Sequence, residues 1–304
     1  MKKFLWSWLT VSFLNLVFVA FLGVILRYKI AFYLPFLEQK NILHSHSHFA
    51  FAGWVSQTLM ILLIYYLSTV KGEEVIRKYR WLLYANLFSS YGMLISFIVQ
   101  GYAAVSITFS TLSIFVSYAF ALFYWRDLDH LKERVLSHLW FKWALVFSVI
   151  SSLGPFSLAF MMATGNNDQN WYLASVYFYL HFQYNGWFFF AGMGLPNDKL
   201  KLMPGTAKKL YYSFVLFTSA CIPAYFLSIL WAPFSKGIYP VLIAAVICQL
   251  AGWFLILRLL VRNKELSRRL FLKPGRVLLM LSGLAFTIKL LLQAGSIHPA
   301  LSQL

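Results

Sequence analysis

The chain has 304 residues, 61% of them hydrophobic, 19% aromatic and only 12% charged, and its mean hydropathy is +0.70. A soluble domain is typically about 25% charged, so composition excludes an ordinary globular protein and predicts an all-α, polytopic integral membrane helix bundle. The net charge of +17 would point to nucleic acid in a soluble protein; here the basic residues fall in loops, where they set membrane orientation, and no nucleic-acid partner is expected.

A spanning helix needs about 20 apolar residues. That criterion predicts nine spans in one transmembrane domain over residues 1–304, at roughly 4–27, 46–70, 80–100, 103–125, 138–163, 171–194, 209–231, 238–261 and 276–295. The first apolar run is too long for a signal peptide and ends in no small-residue cleavage site, so it reads as a helix. Only Gln100-Gly101-Tyr102 separates the third and fourth spans, which predicts a tight antiparallel hairpin. With the N-terminus in the cytoplasm, the outer loops hold only Arg27, Lys29, Lys40 and Lys236 of the 26 Lys and Arg residues. Lys289 lies within a span, and the others lie on the cytoplasmic side. This asymmetry predicts a bacterial-type inner (cytoplasmic) membrane protein with an outer C-terminus. Cys221 and Cys248 lie in apolar runs and read as buried thiols.

The second span opens with Asn41-Ile-Leu-His-Ser-His-Ser-His-Phe-Ala-Phe-Ala-Gly-Trp54. A helix advances about 100° per residue, so His44 and His48 project together and His46 points away from them. Ala50, Ala52, Gly53 and Ser56 leave room for a neighbouring helix or a flat macrocycle. Histidines at a membrane entrance are solvated, paired, or bound to a metal or haem. His130 and His138 fall in a charged cytoplasmic loop and read as surface residues.

The sixth span carries His181 in Tyr177-Phe-Tyr-Leu-His-Phe-Gln-Tyr-Asn-Gly-Trp187. Its distance from Trp171 places it about 15 Å along the helix, near the middle of a hydrocarbon layer about 30 Å thick. Tyr177, Tyr184 and Asn185 share its face and could fix its tautomer. Its roles are metal ligand or interhelical hydrogen-bond glue. Lys289 is the one charge deep in a predicted span; it marks a proton path or snorkels to the interface. His298 follows the ninth span on the outer side.

Together these stretches resemble the haem-copper oxidase subunit I superfamily, which includes cytochrome oxidases and nitric oxide reductases. In that family the second helix carries a low-spin haem ligand at its outer mouth, where His44, His46 and His48 stand. The sixth helix carries a ligand of the copper or iron of a dinuclear centre, which His181 in His-Phe-Gln-Tyr-Asn-Gly-Trp resembles. Thr287-Ile288-Lys289 is loosely similar to a proton-entry element. The resemblance implies haem b near the outer leaflet, copper or iron at His181, respiratory electron transport, and contact with lipid and with other respiratory or haem-carrying subunits. His298, on the same outer side, is a further candidate metal ligand by its position. The chain departs from the family pattern in having no histidine over residues 209–240 and no tenth helix. A fragment, a partner supplying ligands, or lost dinuclear chemistry would account for that. The alternatives are a haem or copper carrier, sensor or assembly protein, and a solute transporter.

Overall fold

Aromatic and β-branched residues are plentiful, but they lie in apolar runs long enough to span a membrane, where a helix satisfies every backbone group within its own segment. The computed structural model describes residues 1–200, 206–232, 236–262 and 273–297, and its regular elements there are all helices. By length and composition seven helical stretches are apolar enough to cross a membrane, or eight if Ala207–Cys221 and Pro223–Ile229, bent by 48°, form one span. The stretch expected as the sixth span is helical from Gln169 to Leu200 but is not among them. Its Tyr177, Tyr179, His181, Gln183, Tyr184 and Asn185 dilute the apolar content. The chain divides into two compact units, Met1–Arg134 and Val135–Leu304.

The first unit holds α1 (Lys2–Ala31), α2 (Gln39–His48), a π-helical stretch Phe49–Ser56, α3 (Gln57–Lys71), α4 (Glu74–Gln100) and α5 (Ala104–Asp129). The run from α2 to α3 is its centre. Ile42, Phe49, Ile61, Leu63, Ile64 and Leu67 are all at most 1% exposed. Polar side chains tie neighbours to the π stretch, as they must where no water reaches the backbone. Asn15 of α1 donates to the Gly53 carbonyl, and Asn86 of α4 donates to the Ala52 carbonyl (3.0 Å) and to Gln57 Oε1 (2.7 Å). The expected α4–α5 hairpin is present. Gly101 turns it at φ +63°, a left-handed backbone that disfavours any side chain, and the Phe109 ring of α5 lies where a side chain at Gly92 of α4 would go.

At the other end of this unit Asp127 is 8% exposed and accepts from Lys71 (2.9 Å), Lys78 (2.7 Å) and the Tyr79 hydroxyl (2.6 Å). Three helices are clamped through one carboxylate.

The second unit holds α6 (Leu136–Ser151), α7 (Leu153–Thr164), α8 (Gln169–His181), a π stretch Phe182–Phe188, α9 (Phe189–Leu200), α10 (Ala207–Cys221), a 3-10 turn Pro223–Ile229, α11 (Tyr239–Arg262) and α12 (Lys273–Gly295). Pro155 separates α6 from α7, since proline cannot continue the hydrogen-bond ladder. Asp168 caps α8, its carboxylate accepting from the backbone N–H of Asn170 and Trp171, which starts the helix that carries His181. Cys221 and Cys248 are free thiols; Cys221 is buried, as expected, whereas Cys248 is only half-buried. His138, read from sequence as a surface residue, is instead 7% exposed. It lies in the first turn of α6, beside Ser137 and Trp140, which are also buried.

Candidate functional site

Two histidine sites emerge, one in each unit. In the first unit, His44 and His48 face the same two aromatic rings, as helical spacing requires. The His48 ring stacks on Phe97 with centroids 4.5 Å apart and planes inclined by 17°. His44 meets Tyr102 edge-on at 4.5 Å. His48 Nε2 pairs with the Tyr102 hydroxyl at 2.8 Å. His44 Nε2 is buried and has no hydrogen-bond partner. A buried polar atom left unpaired costs about 1–3 kcal/mol, so this nitrogen, set inside an aromatic frame, calls for a partner. His46 turns to α1, where its Nδ1 lies 3.0 Å from the Val19 carbonyl. Gly23 lies beside the His46 ring, where a Cβ would make only ordinary contact, 3.4 Å from Cε1.

In the second unit, His181 is 4% exposed. Its Nε2 lies 2.8 Å from the Cys221 carbonyl and its Nδ1 3.2 Å from Asn185 Nδ2. Asn185 Oδ1 accepts from Lys289 Nζ at 2.7 Å. The donor pattern allows one arrangement. A lysine ammonium can only donate, so the Asn185 oxygen faces it and the amide nitrogen faces His181. Nδ1 therefore accepts, and Nε2 carries the hydrogen given to Cys221. The Cys221 carbonyl is available because α10 ends there and Pro223 prevents the helix from continuing. Both His181 nitrogens are engaged, so metal ligation there would require one bond to be given up.

Of the residues expected around His181, Asn185 is in contact. Tyr177 and Tyr184 are 37% and 55% exposed, and neither occupies a His181 ring nitrogen. Lys289 turns inward to Asn185 and stands over the Phe286 ring at 5.6 Å. His298 lies outside the described residues. Among the described residues no three of His, Cys, Asp or Glu converge as a metal site. Haem needs only one or two axial nitrogens, and the unpaired His44 Nε2 fits that demand.

Two partners escaped the sequence reading. Tyr102 belongs to the hairpin link, and only its turn back toward the mouth of α2 brings it to His48. The Cys221 carbonyl is a backbone group whose sole sequence signal is the nearby Pro223. Comparison with protein-family models, with curated proteins and with solved structures finds no match for this chain.

Proposed function

We propose that the protein is an integral membrane haem-binding protein, with nine spans, a cytoplasmic N-terminus and the cofactor in the first unit near the outer mouth of α2. The observation that carries this reading is the buried, unpartnered His44 Nε2, framed by Tyr102 and by the His48–Phe97 stack. In it His44 is the axial ligand, His48 is oriented by Tyr102, and His46 holds α1. The bound group would be haem b and would supply one-electron chemistry; the chain supplies the imidazole, aromatic walls and burial, which tune it. The likeness to haem-copper oxidase subunit I supports the same placement and a role in respiratory electron transport alongside other subunits. The engagement of both His181 nitrogens favours a haem carrier, sensor or assembly factor over an oxidase with a copper or iron centre in this chain.

The test is to purify the protein in mild detergent and measure its haem by the pyridine haemochrome and reduced-minus-oxidised spectra. The wild type and His46→Ala should retain haem, and His44→Ala should lose it. A wild-type protein that takes up no hemin on reconstitution, or a His44→Ala variant with full haem, would overturn the reading.

A further inference from the structure

The two histidine sites are related by sequence as well as by role. His48-Phe-Ala-Phe-Ala-Gly-Trp54 and His181-Phe-Gln-Tyr-Asn-Gly-Trp187 share His, Phe, Gly and Trp at the same spacing, with Phe51 and Tyr184 as matched aromatics. In each case the histidine is the last residue of an α-helix and the next residue begins a π-helical stretch. Long π stretches are rare and cluster at functional positions.

The match extends beyond the motif. The interval from His48 to His181 is the same as that from Glu74 to Ala207, where the next helix begins in each unit. The first helices start at Lys2 and Leu136, which repeats that interval to within a single position, and the border between the units falls just after Arg134. The contacts also correspond. The motif glycine meets the first helix of its own unit in both cases. Gly53 accepts from Asn15, and the Phe147 side chain lies where a Cβ of Gly186 would go; the same interval counted from Asn15 ends at Ser148, the neighbour of Phe147. The carbonyl before each glycine meets the helix that follows. Ala52 accepts from Asn86 of α4, and Asn185 accepts from Cys221 Sγ of α10 at 3.7 Å. Motif, helix starts and contact partners thus keep one register, with only slight drift.

We propose that the chain is a tandem duplication of a four-helix unit whose period is the interval from His48 to His181, and that His181 is the second copy of the His48 imidazole site, held closed by Asn185 and Lys289. The first unit lacks both closing groups. Ala52 stands where Asn185 would be, and Lys289 lies on α12, a helix beyond the four that repeat. In the second copy the lysine orients the amide, the amide occupies Nδ1, and the imidazole is fixed against the Cys221 carbonyl. Metal-free imidazole reactivity is the direct readout, and it is independent of whether haem binds.

The purified full-length protein is treated with diethyl pyrocarbonate, which acylates an imidazole nitrogen bearing a free lone pair, and each histidine peptide is followed by mass spectrometry. In the wild type His181 is protected and His48 reacts. In Asn185→Ala/Lys289→Met the second site is given the first site's composition, and His181 acylation rises at least about tenfold, the factor set by losing one buried hydrogen bond of ordinary strength. In Ala52→Asn the closing amide is installed in the first copy, and His48 acylation falls by a similar factor. Thermal melting shows that each variant is folded, and Asn185→Gln, which keeps an amide but displaces it, behaves like the alanine variant. A folded double variant with His181 still protected would overturn the closure. A folded Ala52→Asn variant with unchanged His48 reactivity would overturn the correspondence and with it the duplication.

Discussion

At the scale of single residues, buried polar groups divide into those with a full set of partners and those without one. Asp127 is the clearest satisfied group, with Lys71, Lys78 and Tyr79 on its two oxygens. Asp127→Ala leaves the buried Tyr79 hydroxyl and Lys71 without their acceptor, and we expect a loss of about 1–3 kcal/mol. Lys78→Ala removes a side chain that is 46% exposed and should cost less than about 1 kcal/mol, because solvent already screens it. Unfolding of both variants in detergent mixtures checks the ordering, and equal losses would contradict it. The shared face of His44 and His48 was legible from spacing alone. The importance of Asp127 was not. In sequence it sits among Asp129, Lys132, Glu133 and Arg134 and reads as one more loop charge, and only the packing of α5 against the α3–α4 turn buries it.

At the scale of elements, glycines record where helices touch. Gly186 faces Phe147 of α6 so closely that a Cβ could not be added without displacing the ring, whereas Gly192 of α9 has nothing within 4 Å of that position. Gly186→Ala should therefore destabilise by about 1–3 kcal/mol, as overpacking does. Gly192→Ala should be neutral or slightly stabilising, because alanine is the better helix former. Similar melting temperatures for the two variants would refute this packing. Helix positions and the α4–α5 hairpin were legible because apolar run length and a glycine turn are local signals. The π stretches were not, since nothing in a run of aromatic and small residues distinguishes a π turn from an α turn. The end of α10 was half legible: Pro223 announces a break, but not that the freed Cys221 carbonyl receives His181.

At the scale of the whole molecule, seven or eight described helices suffice to cross a membrane, and nine spans follow if the polar His181 helix and the bent Ala207–Ile229 pair both cross. With nine spans, the proposed cytoplasmic N-terminus, argued from the basic-residue asymmetry, would put the C-terminus outside. A reporter fused after Leu304 that is active only when exported should be active; one active only in the cytoplasm should be silent, and the reverse result would mean an even number of spans or an outer N-terminus. The repeat is hard to see in sequence because its identities are dense only in two short windows, His48–Trp54 and His181–Trp187. Elsewhere the units keep register with only scattered identities, such as Met60 with Met193 and Tyr79 with Tyr212.

We propose that the unpaired imidazole nitrogen of His44 ligates haem iron. Its most direct test is ligand replacement: His44→Gly is purified, loaded with hemin, and its visible spectrum recorded before and after adding free imidazole. The variant should lose the wild-type haem spectrum, and the spectrum should return when imidazole occupies the space left by the side chain. A His44→Gly protein that shows the wild-type spectrum with no imidazole present would contradict it.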